Sequence, residues 1–175
     1  MVNNTDNSNS AKLLSVEKWG SIHWLSMANM FSQCTNMIIN ANDTPDLSEV
    51  TNMNGMFMNA TNFNSDINDW NVSNVTSMVG TFRDAIHFNK ALNNWDVSNV
   101  TSMDYMFKGA TDFNQNIGNW NTNSTTSINH MFENATSFNQ NLSNWHLCDS
   151  YGHSSYDSGA TAWTKDRPTF DGSCQ

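Results

Sequence analysis

The stretch WDVSNVTSMDYMFKGATDFNQ, residues 95–115, decides the fold, because its skeleton recurs along the chain. Trp70, Trp95, Trp120 and Trp145 are each 25 residues apart. Phe63, Phe88, Phe113 and Phe138 keep the same step, as do Asn64, Asn89, Asn114 and Asn139, and Ala60, Ala85, Ala110 and Ala135. A strict period of this length means that each unit is a supersecondary piece unable to bury its apolar face alone, so units stack and share one core. The expected architecture is a solenoid.

Within a unit, Met53, Met56, Phe57 and Ala60 follow the spacing i, i+3, i+4, i+7, which puts them on one face of a helix. The set returns as Met78, Thr81, Phe82, Ala85, as Met103, Met106, Phe107, Ala110, and as Ile128, Met131, Phe132, Ala135. Thr51, Thr76, Thr101 and Thr126 stand just before these sets, where a hydroxyl can accept from a free amide, so they read as helix N-caps. The following F-N-x-x-[IL]-x-x-W segment breaks the stripe and reads as a short extended piece, paired in parallel from coil to coil about 4.8 Å apart. The Asn column after Phe reads as a buried ladder in which side-chain amides satisfy backbone groups of neighbouring coils. A three-sided β-solenoid would place many of the same residues inside; the helical stripe favours helices.

Met27, Met30, Phe31 and Cys34 sit 26 residues before Met53, Met56, Phe57 and Ala60, so the chain opens with a degenerate first unit and one inserted residue near Asn42 to Pro45. The expected organisation is a flexible Asn/Ser-rich leader over 1–12, an N-terminal cap and degenerate repeat over 13–45, repeats over 46–147, and a C-terminal cap and tail over 148–175. Terminal coils must cover an open core. Trp19 and Trp24 are suited to that task.

The balance of 16 acidic to 7 basic residues gives a net charge of -9, which disfavours nucleic acid. From Asp46 to Cys148 the basic residues are Arg83, Lys90 and Lys108, too few for a stripe that docks on anionic lipid. No apolar run approaches the roughly 20 residues of a membrane-spanning helix, and residues 1–10 are polar, so neither a signal peptide nor an anchor is expected in this sequence. Cys34, Cys148 and Cys174 have no zinc-like or C-x-x-C spacing, and a Cys148 to Cys174 disulfide is open on spacing alone.

Residues 95–115, with their counterparts, resemble the repeat of the BspA-type, leucine-rich-repeat-like surface proteins, once catalogued as a domain of unknown function in mycoplasma lipoproteins. Lys18-Trp19-Gly20 with Asp43-Thr44-Pro45-Asp46-Leu47-Ser48 resembles that family's opening, and Ser158-Gly159-Ala160-Thr161-Ala162-Trp163 its closing segment, so the likeness spans about Leu13 to Phe170. Repeat four departs at Thr122, Thr125 and Ile128, where looser packing is expected. The resemblance implies an α/β repeat solenoid: a leucine-rich-repeat-like, right-handed coil with a short helix and a short parallel strand per repeat. It also implies secretion or display on bacterial cells within a larger multidomain protein, and adhesion or host-protein binding.

The residues themselves point away from catalysis. His23, His87, His130, His146 and His153 occupy different columns, so no metal-ligand cluster is expected, nor any cofactor. Asp66, Asp69 and Asp96 read as solvated rather than as an acid and base, because a repeat spaces like side chains apart instead of converging them. Sequons such as those at Asn71, Asn74 and Asn99 are products of the repeat consensus. Tyr151, His153, Tyr156 and Asp157 are close in sequence and read as a polar loop.

The expected interaction surface is the outward side of the short sheet: Ser65, Asp66, Lys90, Ala91, Gln115, Asn116, Gln140 and Asn141. An amide-rich strip suits hydrogen bonding to an extended protein segment or to sugar hydroxyls. The expected function is therefore a non-enzymatic binding module for an extracellular protein. Glycan binding, a spacer role within a larger surface protein, and ice binding through the Thr column are the alternatives.

Overall fold

The computed structural model describes residues 13–148 and 152–171, without the side chain of Cys148. The leader over 1–12, Tyr151 and the Cys148 to Cys174 pairing lie outside the described residues. Two small parallel sheets are present among them. Strand β1 (Ser15–Val16) pairs with β2 (Ile38–Ile39), and β3 (His146–Cys148) pairs with β4 (Thr169–Asp171). Between the two sheets, single parallel bridges link Asn52, Ser77, Ser102, Ser127 and Gly152 in sequence.

No helix occurs among the described residues, which overturns the expected α/β solenoid with a leucine-rich-repeat-like helix in each coil. The quartets lie in consecutive tight turns. The hydrogen bonds give the reason. A helix would send every amide back four residues within its own segment. Here alternate amides cross to the next coil: Met53, Gly55, Phe57 and Asn59 donate to the carbonyls of Ser77, Val79, Thr81 and Arg83 at 2.8–3.0 Å. The amides between them close turns, with Met56 donating to Met53, Met58 to Gly55 and Ala60 to Phe57.

Such a path needs a left-handed residue at every corner, and two columns supply it. Gly55, Gly80, Tyr105, His130 and Ser155 have φ between 50° and 61°, and Asn59, Asp84, Gly109, Asn134 and Gly159 have φ between 56° and 76°. Gly, Asn and Asp tolerate this region, whereas an α-helix admits none of it. The turns still carry Met53, Met56, Phe57 and Ala60 inward, all fully buried. Burial thus followed the helical spacing while the backbone did not.

The interior is a set of columns. Phe57, Phe82, Phe107 and Phe132 stack at 5.5–5.7 Å between ring centroids, and Phe63, Phe88, Phe113 and Phe138 at 5.8–6.0 Å. Trp95, Trp120 and Trp145 bury their rings and donate Nε1–H to the carbonyls of Ile67, Leu92 and Ile117 one coil back, at 3.0–3.1 Å. Trp19 lies edge-on against Trp24, Phe31 and Trp70 at the first coil. In the fourth repeat the columns stay closed: Thr122 and Thr125 are buried, and the Thr125 hydroxyl donates to the Val100 carbonyl at 3.0 Å.

Two further expectations change with the backbone. Thr76, Thr101 and Thr126 cap no helix; their exposed hydroxyls donate to the carbonyls of Thr51, Thr76 and Thr101 in the preceding coil. The Asn ladder runs along the surface rather than the interior. The side-chain oxygens of Asn64, Asn89 and Asn114 accept the amides of Asn89, Asn114 and Asn139, while Asn64 and Asn114 are exposed.

Candidate functional site

The strip from Ser65 to Asn141 is not the face of a sheet, because none of its residues lies in a strand. Its residues lie in irregular backbone just ahead of a turn in each coil. Asp66, Asn116 and Asn141 each use one side-chain oxygen to accept the amide two residues on, from Asn68, Gly118 and Ser143, which fixes the local turn. The amide of Gln115 donates to the Asn89 side chain at 2.8 Å, that of Gln140 to the Asn114 side chain at 2.7 Å, and that of Asn141 to Asp166 at 3.1 Å. The Ser65 hydroxyl accepts the Ile39 amide at 2.8 Å. Lys90 and Ala91 are half-buried. Much of the hydrogen-bonding capacity of the strip is thus spent between coils, and Asp66, Asn116 and Asn141 remain exposed.

A second surface, on the turn side of coils three to five, was not anticipated. Tyr105 stacks on His130 at 5.0 Å between ring centroids, with the Arg83 guanidinium and the Lys108 ammonium each 5.7 Å from the Tyr105 ring. Glu133 accepts from Lys108 at 2.8 Å and lies 2.7 Å from His130 Nδ1. The Lys108 ammonium, more than any other group, holds the Glu133 carboxyl below its ordinary range. Arg83 also reaches Asp84 at 3.3 Å.

Tyr105 and His130 occupy the left-handed column at φ 59° and 55°, where the two preceding coils have Gly55 and Gly80. A bulky residue there costs on the order of 1–2 kcal/mol. The signal was available in the sequence: this column reads Gly, Gly, Tyr, His, and its neighbour reads Met58, Arg83, Lys108, Glu133, beside apolar columns that hardly change.

The local group near the C-terminus is structural in character. Asp157 pairs with Arg167 at 2.9 Å, and the Arg167 guanidinium covers the Trp163 ring at 4.1 Å. His153 and Tyr156 pack against Phe170 at 4.3 and 5.5 Å, and burial pushes the Tyr156 hydroxyl above its usual range. His23 and His87 each meet a carboxylate one coil on, Asp46 and Asp112, at 2.8 Å. His146 Nδ1 lies 3.0 Å from the Thr169 hydroxyl.

A family described as "Mycoplasma protein of unknown function, DUF285" matches residues 11–165. No curated protein and no solved structure matches the chain.

Proposed function

The chain belongs to the DUF285 family of mycoplasma proteins of unknown function, and from that premise we propose that it is a non-enzymatic binding module, akin to the BspA-type surface proteins. In this reading it is secreted or displayed at a cell surface as part of a larger protein, and engages an extracellular protein. One observation carries the proposal. An interior that repeats from coil to coil underlies surface columns whose residues do not, most clearly at Arg83, Tyr105, Lys108 and His130. A rigid stack of this kind holds differing side chains at fixed spacing, which is how repeat proteins recognise extended partners. Tyr and Arg are the residue types on which protein interfaces concentrate their binding energy. The strip from Ser65 to Asn141 extends the contact.

The test is binding of the purified chain to immobilised extracellular proteins, alongside two variants: Arg83→Ala with Tyr105→Ala, and Gln115, Asn116, Gln140 and Asn141 together changed to Ala. Saturable binding weakened by about tenfold or more in the first variant supports the reading. Absence of saturable binding to every candidate argues against it. The amides of Gln115 and Gln140, engaged between coils, favour a second reading in which this part of the chain is a spacer. A spacer predicts that the four-residue variant loses thermal stability and no binding.

A further inference from the structure

The repeat is broken once in a way that opens space. Ala41 takes the column position filled by Ile67, Leu92, Ile117 and Leu142 in later coils, and Pro45 takes that of Trp70, Trp95, Trp120 and Trp145. Both are smaller than what they replace, and the inserted residue of the first coil lies between them. The result is an open groove of about 220 Å³ at the junction of the first two coils. Ala41, Asn42 and Thr44 line one side, and Asp66, Asp69 and Trp70 the other.

Trp70 gives the groove its chemistry. Trp95, Trp120, Trp145 and Trp163 each donate Nε1–H to a carbonyl of the preceding coil. Trp70 is 4% exposed, yet its Nε1 has no acceptor among the described residues. It also escapes the full enclosure that isolates the unpaired Nε1 atoms of Trp19 and Trp24. On the same side stand acceptors. Asp66 uses Oδ1 for the Asn68 amide and Asp69 uses Oδ1 for the Asn94 side chain, which leaves each Oδ2 without a donor among the described residues. Asp43 is already committed through both oxygens to the amides of Trp19 and Gly20 and forms a wall.

We infer that this groove binds a single hexopyranose unit of a glycan, with sugar hydroxyls donating to Asp66 and Asp69 and accepting from Trp70 Nε1–H. The choice of ligand follows from the groups present. An ammonium could satisfy the carboxylates but cannot accept from an indole N–H, and an anion is repelled by three aspartates. A hydroxyl does both. The volume is many times the roughly 10–15 Å³ one water needs, and below the roughly 300 Å³ at which sites for drug-sized ligands begin. The inference shares Asp66 with the strip of the proposed protein-binding surface but uses neither Tyr105 nor the amides of Gln115 and Gln140.

The experiment follows the indole N–H signals of the seven tryptophans by two-dimensional NMR. Methyl glucosides, galactosides, mannosides and N-acetylglucosaminides are titrated to about 50 mM, a range suited to millimolar affinity. The signal absent from Trp70→Phe is expected to move saturably while the others stay still. Ala41→Leu, which restores the side chain found in later coils, is expected to keep the fold and abolish that movement; Asp69→Asn is expected to weaken it about tenfold. Tyr105→Ala is expected to leave it intact, so loss of protein binding and loss of sugar binding are separate results. No saturable movement with any sugar, movement that persists in Ala41→Leu, or equal movement with methylammonium would each overturn the assignment.

Discussion

At the residue scale, stability resides in columns that can be tested one position at a time. Trp95→Ala removes a buried ring and is expected to cost about 3–5 kcal/mol, while Trp95→Phe keeps most of the packing and loses the bond to Ile67, about 1 kcal/mol. Thermal melts of both variants check the order, and a Trp95→Ala melting point within about a degree of the parent would refute the column. Glycines divide in a similar way. At Gly80, with φ 61° and no more than ordinary van der Waals contact with the Arg83 side chain, Ala is expected to cost about 1 kcal/mol through backbone strain. At Gly118 a Cβ would run into the main-chain carbonyl of Asn141, so Ala there is expected to cost about 1–3 kcal/mol, since the neighbouring coil must move. Denaturant midpoints of the two variants in the reverse order would remove that distinction. The inward residues were legible from their spacing. The left-handed ones were legible too, as Gly, Asn and Asp at two fixed positions per repeat, but that pattern was overshadowed by the apolar stripe.

At the scale of the element, the apparent helix dissolves into turns. The stripe i, i+3, i+4, i+7 records which side chains go inward, and a run of four-residue turns delivers the same set as a helix does. What separates the two is where the amides go, and a partner 24 residues away is invisible to any local pattern. Far-UV circular dichroism of the purified chain is expected to lack the paired minima of an α-helix; their presence would restore the helical reading. The cluster around Glu133 makes a second prediction at this scale. Its carboxyl titrates lower when folded than when unfolded, so its contribution is present above the ordinary carboxylate value, about 4.3, and is lost as pH falls through the lower folded value. Glu133→Gln is therefore expected to be less stable than the parent at neutral pH, with the gap in denaturant midpoint closing on acidification. A gap that is constant across pH would detach Glu133 from Lys108. This cluster went unread because Arg83, Tyr105, Lys108 and Glu133 come from three successive repeats, and only the observed stacking shows that they touch.

At the scale of the whole molecule, the period was legible and the shape of each coil was not. Four amides of each coil are matched to four carbonyls of the next, so a coil can be removed whole but not in part. Deleting residues 95–119 joins Asn94 to Trp120 in register, and the shortened chain is expected to unfold cooperatively at a lower temperature. A deletion that stops at Asn114 puts the columns out of step and is expected to leave the chain unfolded. If both deletions behave alike by calorimetry, stacking in register is not what holds the molecule together. The groove beside Trp70 belongs to this scale as well: it arises from the single place where the period lengthens by a residue, and the sequence showed the insertion without showing what it opens.

The amides that cross between coils within the turns run from the earlier coil to the later and outnumber the flanking ones, such as Thr76 to Thr51 and His87 to Thr61, that run back. At each of five junctions four of them point from the earlier coil to the later, from Met27 to Asn52 through to Asn134 to Ser158. Peptide dipoles of about 3.5 D each, aligned in this manner, add rather than cancel. The turns therefore give the molecule an electrical direction along its length without a single charged side chain, so that even a chain of uniform surface would present itself differently when approached from its first coil and from its last.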